Sequence, residues 1–384
     1  MFRSVIVGTG AIANAHAEAI AATPGIELVG VVDLSAERAQ DFAARHGAPA
    51  VFGSLAEALA LAPGAASIDA EPIDAVPLDA VPLDAAPLDY VHICTPPGSH
   101  VDLAIEAQRG GAVPIVEKPP ALSLEDFDRL LASEDETGVP VVGLFQHRFG
   151  SAAVGLRGLL AEGALGRPLV AVAETLWYRD DDYFAVPWRG TWGVEGGGPT
   201  MGHGIHQFDL LLSILGPWAS VKAVAVRQNR PTETEDVSSA IVTFENGAVA
   251  TILNSIVSPR ETSRLRFDFE RATAELEHLY GYDSTHWTFT PARGSEELAE
   301  SWTARAGSTP SGHTAQLAAV LTAREAGERP PVTTADARRT LELSAAIYAS
   351  AFTDRTVSAG EIVPGHPFYA SMQGTGAPWA AVTA

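Results

Sequence analysis

The sequence predicts an α/β domain with a parallel sheet, followed by an α+β domain built on a large, mostly antiparallel open sheet. Three observations predict it. Short apolar runs alternate with helical stretches through the first third of the chain. A glycine turn joins the first run to the first helical stretch. Beyond residue 169 the apolar runs follow one another with few helices between them. At 384 residues the chain is too long for one compact core, so two domains are expected.

The runs at 5–7, 28–32, 91–94, 113–116 and 139–145 read as buried strands. Helices are expected at 11–22, 35–46, 100–109 and 123 to about 136, with Ser35 and Ser123 as N-caps. Further strands are expected at 170–177, 221–227, 238–244, 248–254, 264–269 and 273–277. Asn246-Gly247 lies between two of them and marks a hairpin. One helix at 204–215 precedes this sheet, and two more are expected at 314–326 and 334–353.

The boundaries follow. Residues 1–120 form the first domain, with its last strand ending near 145, and residues 146–370 the second. Residues 371–384 are expected to be a C-terminal tail. Residues 68–89 repeat a five-residue unit ending in proline. A proline every fifth residue forbids a regular helix or a central strand, so this stretch reads as an insertion in a surface loop.

Composition narrows the function. Lys and Arg total 25 against 47 Asp and Glu, a net charge of −22. Such an excess repels phosphate backbones and anionic lipid surfaces, so neither nucleic acid nor membrane is expected as a partner. The lone cysteine, Cys94, excludes an internal disulfide framework. No apolar run approaches the ~20 residues of a membrane span. The first strand starts at once and leaves no room for a signal peptide, so a cytoplasmic protein is expected.

Three motifs carry chemistry. Gly8-Thr9-Gly10-Ala11-Ile12-Ala13 follows a strand and opens a helix, and Asp33 closes the next strand. That context is the dinucleotide fingerprint of a Rossmann domain. Gly8 permits the tight turn, Gly10 lets backbone N–H groups reach a pyrophosphate, and Asp33 suits the ribose hydroxyls of NAD. Arg38 is close enough to keep NADP as the second candidate. The second motif is a pair of segments, Thr95-Pro96-Pro97-Gly98-Ser99-His100 and Glu117-Lys118-Pro119, each at the carboxyl end of a parallel strand. Ligands bind there in such sheets. The Lys118–Pro119 bond is a candidate for cis geometry.

The third motif is the glycine-rich stretch 196–204, which leads into Ile205-His206-Gln207-Phe208-Asp209. Its glycines suggest close approach of backbone to a ligand. His206 and Asp209 share a helix face, and an aspartate beside an imidazole fixes its tautomer. No metal is expected, because His203, His206 and Asp209 have no further strong ligand nearby in sequence. Trp177, Arg179, Trp188 and Arg189 combine aromatic faces for sugar C–H groups with donors for hydroxyls. Gln146-His147-Arg148 and His313 are weaker candidates. Tyr183, beside Asp180-Asp181-Asp182, reads as part of a solvated loop.

Taken in this order, the strand-GxGxxA turn, the TPPxxH segment, the EKP segment and the glycine-rich G-x-H-x-x-D segment resemble the Gfo/Idh/MocA family of NAD(P)-dependent sugar and cyclitol oxidoreductases. The resemblance runs from residue 1 to about 370. It implies that Gly8, Gly10, Ala11, Ile12 and Asp33 hold the adenosine and pyrophosphate. Thr95, Pro97 and His100 would line the nicotinamide side, with Glu117 nearby. Lys118 and His206 would be the active-site pair, and a homodimer or homotetramer is expected. Many members carry an aspartate four residues before the histidine. This chain has Gly202 there, so their proton relay does not carry over whole, and His203 and Asp209 remain candidates for part of it.

The expected reaction is oxidation of a secondary alcohol. Free histidine titrates near ~6.5 and free lysine near ~10.4, so His206 suits proton transfer and Lys118 suits stabilising a developing alkoxide. Such a mechanism requires the lysine and the imidazole to meet beside the nicotinamide. Two rivals are an elimination or glycoside cleavage through a transient ketone, and a cofactor-binding regulator without turnover.

Overall fold

The structure, a computed structural model, describes residues 1–60 and 86–379. Most of the proline repeat, residues 68–85, lies outside the described residues. The chain divides into two compact units. One comprises Met1–Pro120, Asp128–Leu144 and Leu317–Thr334; the other comprises Ala121–Phe127, Phe145–Gln316 and Ala335–Ala384.

The first unit contains β1 (Phe2–Val7), α1 (Ala11–Ala22), β2 (Ile26–Val32), α2 (Ala36–His46), β3 (Val51–Phe52), α3 (Leu55–Ala60) and β4 (Tyr90–Ile93). After them come α4 (His100–Arg109), β5 (Val113–Val116), most of α5 (Leu124–Thr137) and β6 (Val142–Gly143). Six strands pair in the order β3-β2-β1-β4-β5-β6, all parallel. The order reverses between β1 and β4, the position where doubly wound sheets bind ligands.

Sequence and packing agree closely here. Ser35 Oγ accepts from Arg38 N at 3.4 Å and caps α2. Ser123 Oγ accepts from Asp126 N at 3.0 Å at the start of α5. The core joins Ile6, Val31, Tyr90 and Ile115 of the sheet to Ala13, Ala17 and Ile20 of α1 and Phe42 of α2.

The second unit contains α6 (Ser151–Ala161), β7 (Pro168–Tyr178), α7 (Asp181–Phe184), α8 (Ile205–Leu215), β8 (Trp218–Val226), β9 (Val237–Phe244) and β10 (Val249–Ser255). They are followed by β11 (Val257–Phe269), β12 (Ala272–His278), β13 (Trp287–Pro291) and α9 (Leu298–Ala306). Next in the chain are α10 (His313–Glu325), α11 (Thr334–Thr353) and β14 (Val357–Ser358). The eight-stranded sheet runs β13-β12-β11-β7-β10-β9-β8-β14. Its pairings are antiparallel except for β7 with β10. The Asn-Gly hairpin forms as expected: Gly247 takes φ +90°, and Phe244 N donates to Ala248 O at 2.9 Å. Every residue of α8 except Ser213 is buried, so this helix is a core element.

Two boundaries differ from the sequence reading. Residues 317–334 cluster with the first unit, because Leu317, Val320 and Leu321 of α10 are buried in its core. Residues 371–379, the described part of the expected C-terminal tail, belong to the second unit. There Met372 and Ala377 are buried, and Trp379 Nε1 donates to Glu233 O at 2.9 Å.

Candidate active site

In the first unit the glycine turn sits on the β1–α1 junction. Gly8 takes φ +87°, and a Cβ there would lie 2.9 Å from Thr95 Cγ2 and 3.0 Å from the Cys94 carbonyl. Gly8 is therefore required by the fold itself. Gly10 differs: a Cβ there would meet nothing within 4 Å, and no side chain caps the α1 N-terminus it precedes. Backbone N–H groups at a helix start favour an anion, so this opening suits a pyrophosphate. Ala11 and Ile12 begin the helix, with Ala11 exposed and Ile12 half-buried.

Asp33 accepts four hydrogen bonds. Its Oδ2 accepts from Thr9 N at 2.9 Å and Thr9 Oγ1 at 2.7 Å. Its Oδ1 accepts from Ser35 N at 2.9 Å and Arg38 Nη2 at 2.8 Å. Burial alone would raise its pKa, but Arg38 and the Ser35 and Thr9 donors hold the carboxyl well below the usual carboxylate range. A fixed anion at this position fits a dinucleotide ribose.

The EKP segment is held from beneath. The Lys118–Pro119 bond is cis. Glu117 is buried; one of its oxygens lies 3.1 Å from His16 Nε2 and the other accepts from Lys118 N at 3.0 Å. His16 Nδ1 is in turn 2.9 Å from His92 Nδ1. The ring nitrogens of buried His100 reach the Pro119 and Thr95 carbonyls, each at 2.8 Å. Burial pulls the His100 pKa down, against the pull of these two carbonyls. His100, expected to line the nicotinamide side, and Glu117, expected nearby, bond to the backbone around Lys118. Thr95 and Pro97 are half-buried, and Thr95 Oγ1 accepts from Ser99 Oγ at 2.7 Å. Lys118 itself is half-buried.

In the second unit the imidazoles lie in an aromatic cluster. A π-helical turn, Thr200–Gly204, precedes α8 and carries His203, while His206 stands in the first turn of α8. The His203 ring lies 4.9 Å from Trp177 and 6.1 Å from Tyr183. The His206 ring lies 5.0 Å from His147 and 5.8 Å from Tyr280. His147 also packs on Tyr282 at 4.5 Å, and Gln207 Nε2 donates to the Tyr282 hydroxyl at 2.7 Å. His147 is thus a neighbour of His206 that sequence distance concealed.

Asp209 has a structural role. Both of its oxygens accept from Arg148, at 2.7 and 2.6 Å, and Thr340 Oγ1 donates to one of them at 2.8 Å. Burial works against the Arg148 charge, but the Asp209 and Asp336 carboxylates raise its pKa. Asp209, a candidate partner of His206 in the sequence, is held in this way by Arg148 and Thr340. Of the aromatic–basic group, Trp177 is buried and donates to Ser263 Oγ at 2.9 Å. Arg179, Trp188 and Arg189 are half-buried. Tyr183, expected to be solvated, sits with its ring against Arg179 and Arg189.

The glycines leading to the imidazoles make room for the protein. A Cβ at Gly198 would lie 2.0 Å from Glu235 O, one at Gly197 would lie 2.3 Å from the Tyr348 hydroxyl, and one at Gly204 would lie 2.0 Å from Asn254 Oδ1. Glu235 accepts from Gly198 N and Thr200 N, each at 3.1 Å, and from Tyr348 Oη at 2.8 Å. Complete burial pushes the Glu235 carboxyl up to about 7, against the pull of these donors. Gly202 has more space, its nearest neighbour being Glu195 Oε1 at 3.7 Å from the Cβ position.

Known proteins share this architecture. Residues 2–144 match the family described as "Oxidoreductase family, NAD-binding Rossmann fold", and residues 154–275 match "GFO/IDH/MocA C-terminal domain". D-glucoside 3-dehydrogenase of Escherichia coli K12 is 26% identical over 307 residues, covering 72% of this chain and 78% of that protein. D-apiose dehydrogenase of Paraburkholderia graminis is 26% identical over 289 residues, covering 73% of this chain and 66% of that protein. The crystal structure of the WlbA dehydrogenase from Bordetella pertussis, in complex with NADH and UDP-GlcNAcA, superposes with a TM-score of 0.76 at 26% identity. It covers 93% of this chain and 97% of that one.

Proposed function

The chain belongs to the Gfo/Idh/MocA oxidoreductase family, and from that premise we propose that it is an NAD-dependent dehydrogenase acting on a secondary hydroxyl of a sugar, cyclitol or sugar derivative. The observation that carries this reading is the braced Lys118. A buried network of Glu117, His16 and His100 holds the backbone of one half-buried cation at the carboxyl end of β5. The sugar-derivative dehydrogenases among the relatives support the substrate class.

Gly10 and the first N–H groups of α1 would hold the pyrophosphate, and Asp33 the adenosine ribose. When bound, the nicotinamide supplies the acceptor for the hydride leaving the alcohol carbon. Lys118 Nζ hydrogen-bonds the alcohol oxygen and stabilises its negative charge as the proton departs. Of the second unit's groups, His206 suits the role of general base. His203 and the faces of Trp177 and Trp188 contact the sugar ring, and Arg179 and Arg189 donate to its hydroxyls.

Asp33 favours NAD over NADP, since its carboxylate repels a 2′-phosphate and Arg38, the cation beside it, already bonds to it. A homodimer or homotetramer is favoured by one face of the large sheet. Val170, Val249, Ile241 and Val224 stand exposed there on four adjacent strands. Among the described residues no helix is long and apolar enough to cross a membrane. The single buried thiol of Cys94 suits a reducing cytoplasm.

The test is a panel of cyclitols, aldoses and anhydro-sugars with NAD⁺ and NADP⁺, reading reduced cofactor. The expected result is steady NADH accumulation with at least one of them, with NADP⁺ slower by about tenfold. A panel giving no reduced cofactor contradicts the dehydrogenase reading. Product release without NADH accumulation favours elimination through a transient ketone.

A further inference from the structure

Arg179 and Arg189 both lie over the Tyr183 ring, which is 6.1 Å from the His203 ring, and their charges are already answered. Arg179 Nη1 lies 3.1 Å from Glu261 Oε1, and Arg189 Nη1 lies 3.5 Å from Glu195 Oε1. Neither carboxylate is free to swing away. Glu261 Oε1 accepts from Tyr178 N at 2.9 Å, and Glu195 Oε2 accepts from Gly190 N at 2.6 Å. Glu195 is buried, and its other oxygen faces Gly202.

The guanidiniums are also fixed in orientation. Arg179 lies over Trp177 at 4.8 Å and over Tyr183 at 5.3 Å. Arg189 lies over Tyr183 at 3.9 Å and over Trp188 at 4.5 Å, and it donates to the Tyr183 hydroxyl. In each guanidinium Nη1 carries the ion pair, and the stacked plane holds the remaining N–H donors in a fixed fork. The neighbouring Arg230 is paired with Asp181 at 3.3 Å, and Asp180 and Asp182 flank that pair.

An anion arriving here meets two compensated cations and a buried, anchored carboxylate. A neutral polyol meets aromatic faces and fixed donors. We propose that this surface selects neutral sugars and that Glu195 and Glu261 are specificity-determining residues that reject acidic ones. The inference rests on the sugar-dehydrogenase reading and adds the charge class of the substrate.

The test compares the full-length protein with methyl glucoside and the matching methyl glucuronoside, which differ by one carboxylate. Two readouts are taken: kcat/KM with NAD⁺, and quenching of tryptophan fluorescence on sugar binding in the presence of NADH. The expected wild-type preference is about tenfold or more for the neutral sugar, and Glu261→Gln and Glu195→Gln should each narrow it severalfold. Glu261 is partly exposed, so its variant keeps the test open should Glu195→Gln fail to fold.

Equal or better use of the glucuronoside by the wild type overturns the proposal. So does an unchanged ratio in a folded Glu261→Gln protein. A neutral preference in binding without turnover of either sugar supports this inference while the dehydrogenase reading fails. Binding of neither sugar overturns the charge proposal as well.

Discussion

The two glycine-rich segments use the same residue for opposite ends. At Gly10 the missing side chain leaves open space over a helix N-terminus. At Gly197, Gly198 and Gly204 it leaves space that Tyr348, Glu235 and Asn254 already occupy. Gly10 leaves the helix start open, whereas Gly8 of the same segment and these three make room for the protein's own atoms. A glycine cluster in a sequence therefore does not by itself locate a ligand; what fills the Cβ position decides.

Substitutions test that contrast. The largest effect is expected for Gly198→Ala, whose methyl group would run into the Glu235 backbone. Overpacking of this kind costs about 3 kcal/mol or more, and thermal unfolding should show either a steep fall in Tm or no folded protein. A Gly198→Ala protein of wild-type stability would remove the contrast. A smaller and different effect is expected for Gly10→Ala. Unfolding should be nearly unchanged, while NAD affinity measured by calorimetric titration falls about tenfold or more, because the backbone no longer reaches the pyrophosphate. Equal affinity in that variant would mean that the open space is not used.

The remaining effect is a pH dependence. Buried Glu235 titrates near 7 in the fold, above its ordinary value of 4.5. A raised acid binds its proton more tightly when folded. Its contribution is therefore fully present below about pH 4.5 and is lost as the pH rises through 7. Across that window the loss is roughly 3 kcal/mol before other groups are counted. Unfolding curves of Glu235→Gln should fall less between pH 5 and 8 than those of the wild type, by an order of ~1–3 kcal/mol. Parallel pH profiles for the two proteins would show that Glu235 stays ionised throughout.

The sequence made the first unit more legible than the second. Strand, turn, helix and Asp33 fall within a few dozen residues, so local periodicity and glycine spacing describe the β1–α1–β2 element. The Asn246-Gly247 hairpin and the Ser35 and Ser123 caps were legible for the same reason: each depends on neighbours in the chain. Short elements such as β3, α3 and α9 carried too little periodicity to be seen. The partners of the imidazoles were hidden because they meet across the fold. Arg148 reaches Asp209 over 61 residues, and His147 meets His206 through tertiary packing. Tyr183 was misread because three aspartates precede it. The structure pairs Asp181 with Arg230 and has Asp180 Oδ1 accept from Tyr183 N at 3.0 Å, and the tyrosine ring turns toward His203. Glu195 gave no signal in sequence, since a lone glutamate becomes informative only when its partners are known.

Lys118 is proposed to act on the substrate oxygen and not on cofactor binding. The most direct measurement is turnover of a Lys118→Ala protein on the best substrate of the panel, alongside its NAD⁺ dissociation constant by titration. The expected result is a dissociation constant within about twofold of wild type and a kcat lowered by about 10²–10³, as removal of an oxyanion donor produces. Near-normal turnover, or a loss explained wholly by weaker NAD⁺ binding, would contradict it.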